Sequence, residues 1–214
     1  FAVIGLGSFG ATVATQLIEL GHDVIGIDSE KKYVENISEQ VTHAVIADAT
    51  DEHVLDELNI KNCDAVVVAI GENIEASILC VLHLKNIGVE KIWVKAKSKS
   101  HHMILSHLGI SKIIHPEEDM GVRIAQSLCY PMVSRYMALE DNHYIVKIEI
   151  DEKLQGSRFR QLMDQAPDVK TLLHKRGKDV LYSIDPNLIL QVGDILVVEG
   201  LLETLRRLSA RFKS

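Results

Sequence analysis

Gly5, Gly7 and Gly10 form G-x-G-x-x-G inside the segment Val3 to Asp28, VIGLGSFGATVATQLIELGHDVIGID, whose residue types and spacing point most directly to chemistry. Gly5 suits a tight turn, Gly7 the close approach of a pyrophosphate to the backbone, and Gly10 the packing of a helix on a strand. The helix opened by this turn presents free N–H groups and the positive end of its dipole, which suit a phosphate. Asp28 lies 23 residues after Gly5, at the end of a second strand, where a carboxylate accepts hydrogen bonds from ribose hydroxyls and repels a 2′-phosphate. Ser8 and Phe9 within the turn, with Ser29 and Lys32 just past Asp28, complete this first group of candidate nucleotide contacts.

These side chains need a scaffold, and roughly the first 120 residues alternate strand and helix in a regular rhythm. Strands are expected at Ala2 to Ile4, Asp23 to Ile27, His43 to Ile46, Ala65 to Ile70, Lys91 to Ala96 and Ile113 to His115. Helices are expected at about Phe9 to Leu20, Glu30 to Ser38, Asp51 to Leu58, Ile74 to Asn86 and Lys99 to His107. The rhythm predicts an α/β fold, a doubly wound parallel sheet of Rossmann type with strand order 3-2-1-4-5-6. Ligand then belongs outside the carboxyl ends of the first and fourth strands.

Each strand end in that sheet carries candidate contacts. Asp48, Ala49 and Thr50 follow the third strand; they are small and polar enough to edge an adenine, and Thr50 is equally an N-cap for the next helix. Ala69 lies at the end of the fourth, followed by Gly71, Glu72 and Asn73, where Gly71 admits a ligand to the backbone and Asn73 either meets that ligand or caps a helix. Lys95, in the otherwise apolar fifth strand, faces phosphates or reaches solvent. Glu117, in HPEED, is either an ordinary acid of a first helical turn or an oxygen ligand for a divalent cation near a subunit interface.

The helix from Ile74 to Ile87 is apolar around most of its circumference, wider than one sheet demands, so a second partner covers it, either another subunit or another part of the chain. The helix after His115 is expected to run on to Leu139 with Pro131 in its midst, kinked or broken near Ala125 to Tyr130 as a hinge. Beyond Asn142 short strands and small helices replace the earlier rhythm. They predict a small α+β C-terminal lobe, and the chain divides as 1–138 and 139–214.

Composition bounds the partners. With 214 residues, 47% hydrophobic, 25% charged and 4 prolines, this is an ordinary folded chain. A net charge of −7 leaves no basic surplus for nucleic acid. Three scattered cysteines, Cys63, Cys80 and Cys129, fit a reducing compartment and make neither a disulfide framework nor a zinc site. No apolar run approaches the roughly 20 residues of a membrane span, nothing at the start reads as a signal peptide, and Phe1 in place of methionine implies residues before it. Catalytic machinery is missing: no tyrosine has a lysine four positions on, there is no P-loop, and His101, His102 and His107 read as solvent-facing. A nucleotide site without such machinery reads as a sensor, with an NAD-dependent oxidoreductase as the competing reading.

Taken together, FAVIGLGSFG, AVIADATDE, VVVAIGENIEAS, WVKAK and IIHPEEDMGVRIAQS give a chain that resembles, over nearly its whole length, the cytosolic gating-ring subunits of bacterial Ktr-type potassium transporters, built from an RCK (or KTN) domain. The resemblance implies a homo-oligomeric ring of dimers, commonly an octamer, docked peripherally on the cytoplasmic face of a membrane potassium-translocating subunit. It implies ATP and ADP, with NAD or NADH in some relatives, around Gly5, Gly7, Gly10, Asp28, Asp48 and Thr50. It also implies a divalent cation at Glu117 and a crossover helix exchanged between protomers. Ser8 stands where many members of the family carry an arginine that reaches phosphate across the interface.

Overall fold

Strands β1 (Ala2–Ile4, AVI) and β4 (Val66–Val68, VVV) are apolar on both faces and buried throughout, as strands covered by helices on both sides must be. With β2 (Ile25–Asp28), β3 (His43–Ile46), β5 (Ile92–Lys95) and β6 (Lys112–Ile114) they form a parallel sheet in the order β3-β2-β1-β4-β5-β6, the expected topology. The structure, a computed structural model, describes residues 1–110, 112–129, 133–139, 141–164 and 166–210. It divides into two compact units, Phe1–Asp119 and Met120–Ser214.

Alternation along the strands assigns the two faces of the sheet. Val3 and Val67 join the core formed with α1 (Ser8–Glu19) and α2 (Lys31–Ile37). Ala2, Ile4, Val66, Val68, Ile92 and Val94 join the opposite core, with Leu55 of α3 (Glu52–Glu57), Cys80, Val81 and Leu84 of α4 (Ile74–Asn86) and Leu105 of α5 (Lys99–His107). Lys95 follows Val94, so it projects to the face that carries α1. On α4, Leu79 and Leu82 are left partly exposed.

Helix α6 (Pro116–Cys129) corrects one expectation. It does not continue past Pro131 to Leu139; Val133–Ala138 is strand β7, paired antiparallel with β8 (His143–Glu149). Proline lacks an N–H, its ring collides with the preceding turn, and it steers the residue before it out of the α region. The expected break therefore ends the helix, and VSRYMA beyond it pairs as a strand. Residues 130–132 of that stretch lie outside the described residues, as do residues 211–214 at the end of the chain.

The second sheet is antiparallel, in the order β10-β9-β11-β8-β7, with β9 (Lys170–Arg176), β10 (Asp179–Leu181) and β11 (Ile195–Leu201). Val146 and Ile148 of β8 and Leu196 and Val198 of β11 point inward at alternate positions, joined by Leu162 of α7 (Phe159–Met163) and Leu205 and Leu208 of α8 (Leu202–Ala210). No helix among the described residues is long and apolar enough to cross a membrane.

Asp194 fastens this unit. Its carboxylate is 1% exposed and accepts hydrogen bonds from Arg176 Nε (2.7 Å), Arg176 Nη2 (2.6 Å) and the Gln191 N–H (2.9 Å). His174 Nε2 lies 3.2 Å away, at ion-pair distance but without hydrogen-bond alignment. Burial pushes this carboxyl up, yet Arg176, Gln191 and His174 outweigh it and hold the pKa at about 2. Asp194→Asn is expected to cost about 3 kcal/mol in urea unfolding at neutral pH, because it leaves a half-buried guanidinium without its counter-ion. The native pKa is depressed, so the stabilisation is complete above the unfolded value of about 3.9 and is lost as pH falls towards about 2. Unfolding curves of wild type and variant should converge over that window.

Candidate functional site

The glycine turn sits where β1 and β4 diverge, at the point where strand order reverses. Gly5 has φ +93°, and a Cβ on it would lie 2.8 Å from the Ala69 carbonyl carbon. A Cβ on Gly10 would lie 1.8 Å from the Gly5 carbonyl oxygen and 3.1 Å from the Ala69 methyl. Gly7 differs, having no heavy atom within 4 Å of where its Cβ would stand. Two of the glycines and Ala69 are therefore set by close packing, and the third borders open space.

Behind this turn α1 starts without a side-chain cap and without an acid in its first turn. Helices α3, α4 and α5 are each capped by their own side chains, Asp51, Asn73 and Ser98. The positive end of α1, with its leading N–H groups, is thus open, as is that of α2, whose N-cap Glu30 makes no side-chain cap either. The cap of α3 corrects the alternative offered for Thr50. Asp51 accepts from His53 N at 3.0 Å, while Thr50 donates its hydroxyl to Asp48 Oδ1 at 2.7 Å. The Thr50 N–H and then its hydroxyl hold the Asp48 carboxyl below the usual range, and Ala49 is buried in the core beneath.

Asp28 does more than its position promised. Its Oδ2 accepts from the Leu6 N–H at 2.6 Å and its Oδ1 from the Glu30 N–H at 2.8 Å. The carboxylate therefore ties the end of β2 to the glycine turn, and each oxygen keeps a further lone pair for a ribose hydroxyl. The Leu6 N–H belongs to the site, and no side-chain signal could have announced it.

Lys95, expected at phosphates or in solvent, is 14% exposed and pairs with Glu117 Oε1 at 2.5 Å. Its Nζ lies 5.8 Å from the centre of the Phe9 ring, and a Cβ on Gly71 would stand 3.3 Å from it. Lys95, Gly71, Phe9 and Glu117 are thus brought together beside the turn. The hydrogen bond from Lys95 is the chief reason the Glu117 carboxyl lies below its ordinary pKa. Among the described residues no group of three or more His, Cys, Asp or Glu side chains is arranged to hold a metal ion. Within one chain Glu117 is a single carboxylate already engaged by an ammonium, so it does not by itself make a cation site.

Other candidates stand apart. Ser8 and Ser29 are exposed, and Lys32 lies over the Tyr33 ring at 4.7 Å. Asn73 spends its carbonyl on the Ala76 N–H at 3.0 Å. Exposed Glu72 pairs with Lys97 at 3.3 Å. The histidines are a correction: His101 is 1% exposed rather than solvent-facing, accepting at Nδ1 from the Lys97 N–H. Burial and then His115 lower its pKa. His102 Nδ1 lies 2.9 Å from His115 Nε2, and of the three only His107 is exposed. Core polarity of this kind leaves no trace in spacing.

Residues 1–116 match the TrkA-N domain family. The chain is 41% identical over 208 residues to the Ktr system potassium uptake protein A of Bacillus subtilis (strain 168), covering 97% of this chain and 94% of that protein. The chain belongs to the Ktr family of potassium uptake proteins. In fold it is similar to the GsuK RCK domain, with TM-score 0.64 and 14% identity over 98% of this chain and 46% of that one. A GsuK channel structure bound to NAD gives TM-score 0.53 and 18% identity, covering 95% of this chain and 36% of that one. In a Ktr-family chain, then, the turn, Asp28 and the uncapped α1 form one crevice at the head of an RCK fold.

The unequal surroundings of the glycines separate folding from binding. Gly10→Ala is expected to destabilise by about 3 kcal/mol or more, because the clash is with backbone. Gly7→Ala, into open space, should change stability by less than about 1 kcal/mol while narrowing the crevice. Thermal unfolding of both variants, with calorimetric titration of ADP into Gly7→Ala, checks the pair; unchanged ADP affinity in Gly7→Ala would remove Gly7 from the site.

Proposed function

We propose that this chain is the regulatory subunit of a potassium uptake system, binding ATP and ADP at the glycine turn and forming a ring that gates a membrane potassium-translocating subunit. The observation that carries the reading is the 41% identity to a Ktr potassium uptake protein over nearly the whole of both chains. Gly5, Gly7 and Gly10 with the uncapped α1 would take the phosphates, Asp28 the ribose, and Asp48, Ala49 and Thr50 the edge of the base. Lys95, Gly71 and Phe9 line the side where a terminal phosphate would end. The GsuK channel, whose fold this chain shares, has been solved bound to NAD, which supports NAD(H) as a third candidate ligand.

Exposed apolar residues support assembly. Leu79 and Leu82 on α4, and Met120, Val122, Ile124 and Leu128 on α6, are open in the single chain. A ring of dimers, eight subunits in the resemblance, on the cytoplasmic face of the membrane would cover such surfaces. Sensing rather than turnover is the reading supported by the same relatives, which are uptake proteins by name.

ATP and ADP share base and ribose contacts, so only what the terminal phosphate meets can bias one ring state over another. A coupling of roughly 1 to 3 kcal/mol per site is typical, and several sites add. Calorimetric titration with ATP, ADP and NADH, with particle size followed by light scattering in the same samples, tests the proposal. Tight ATP and ADP binding to a large ring whose shape differs between them is expected; preference for NADH by a small oligomer would favour an oxidoreductase. Asp28→Ala should weaken ATP and ADP alike, about tenfold or more.

A further inference from the structure

His101 belongs neither to the glycine turn nor to its carboxylates, yet it is 1% exposed and spends its Nδ1 on a backbone donor, the Lys97 N–H at 3.3 Å. Its Nε2, buried as well, has no hydrogen-bond partner among the described residues. We propose that His101 is a positioning residue for the nucleotide crevice: as a neutral acceptor it holds the turn that leaves β5, and on protonation it releases that turn, so that nucleotide binding weakens in acid. The proposal rests on the nucleotide reading above.

The turn at 96–98 is held from three sides. Ala96 donates its N–H to the Ile114 carbonyl at 2.9 Å, Lys97 donates to His101 Nδ1, and the Ser98 hydroxyl accepts from the His101 N–H at 3.1 Å. The turn in its place aims Lys97 at the loop after β4, where Nζ donates to the Glu72 carbonyl at 3.2 Å and to Glu72 Oε2 at 3.3 Å. That loop starts at Gly71, against which Lys95 Nζ stands. Lys95 and Gly71, the groups beside the crevice, are therefore each within two residues of a bond that the turn makes. The Lys97–Glu72 pair is exposed and holds little by itself, so it follows the turn, and His101 is the buried group that fixes it.

The sign of the effect follows from the hydrogen bond. An N–H donor needs Nδ1 bare, so neutral His101 carries its proton on Nε2. Protonation adds a hydrogen at Nδ1 that meets the Lys97 N–H, donor against donor, and places a charge in a buried site. The titratable groups around the ring are Lys97 on the turn, His102 on α5 and His115 past the end of β6, each a base, with the Glu72 carboxylate beyond Lys97. Burial and then His115 push the His101 pKa below its ordinary 6.5. The native value is depressed, so the turn is held in full above that ordinary value and released as pH falls below it.

The test is calorimetric titration of ADP into the purified wild type, His101→Asn and His101→Leu, from about pH 7.5 down to about pH 5.5. Asparagine places its amide oxygen where Nδ1 stands and does not titrate. His101→Asn should therefore bind ADP like wild type at neutral pH and supply the baseline for protons taken up by ADP itself. Across the range wild type should lose about three- to tenfold more affinity than His101→Asn, and at neutral pH His101→Leu should be about three- to tenfold weaker than wild type, the size of one lost hydrogen bond. Parallel pH curves for wild type and His101→Asn would overturn the protonation step, and a His101→Leu variant with wild-type affinity would overturn the positioning role. Hydrogen exchange of the segment around Lys97, read by mass spectrometry on nucleotide-free wild type and His101→Asn, depends neither on ADP nor on the folding of the leucine variant. Wild type should lose protection there relative to His101→Asn as pH falls; equal protection at both ends of the range would overturn the release. A wild type that fails to bind ADP at all would sink the nucleotide reading, while the exchange measurement still decides what His101 does to the turn.

Discussion

The approach of α1 to β1 is set by a contact with no side chain in it. The Gly10 α-carbon stands so close to the Gly5 carbonyl that a methyl group would fall 1.8 Å from that oxygen. This closeness holds the start of α1 over the carboxyl ends of β1 and β4, and the rest of the crevice follows. The turn must reverse within a few residues, so Gly5 adopts a positive φ. Its neighbour across the crevice must be small, so Ala69 fits. The Leu6 N–H is turned toward Asp28, so the end of β2 is drawn to the turn. One steric requirement thereby gathers the helix dipole, the carboxylate and the open ground around Gly7.

Electrostatics then divides the crevice into committed and uncommitted groups. Asp28 and Asp48 are committed to backbone N–H groups, which fixes their orientation before any ligand arrives. The N–H groups at the head of α1 are uncommitted, in contrast to those of α3, α4 and α5, which have side-chain caps. In the proposed reading, a rigid acceptor for a sugar and an open donor end for phosphates would be the division of labour that adenine nucleotides call for.

The sheet order was legible because strand and helix alternate and right-handed crossovers leave few topologies; Val3 to Asp28 announced its own turn. What stayed hidden was non-local or depended on competition between neighbours. Thr50 and Asp51 are adjacent N-cap types, and the choice fell to Asp51 only because Asp48 accepts the Thr50 hydroxyl. VSRYMA extended an amphipathic helix plausibly until Pro131 ended it and β8 offered a ladder. The Lys95–Glu117 pair joins residues 22 apart across a strand and a helix, and no periodicity relates them. His101 is buried by α5 packing that its neighbours in sequence do not reveal.

The same division decides where discrimination between nucleotides must arise. In the proposed reading Asp28, Asp48 and Thr50 would address parts common to ATP, ADP and NAD, so they would set how tightly an adenine nucleotide binds and contribute nothing to the difference between ring states. The difference has to come from groups lying beyond the shared part. On this reading those are the open ground at Gly7 and the Lys95 side, where Ser8 supplies no long cation. In that reading a chain with serine at that position would read a terminal phosphate with the charges it retains nearby. Lys95 is the cation that the fold has already placed there, buried on one side and balanced by an acid that water can accept.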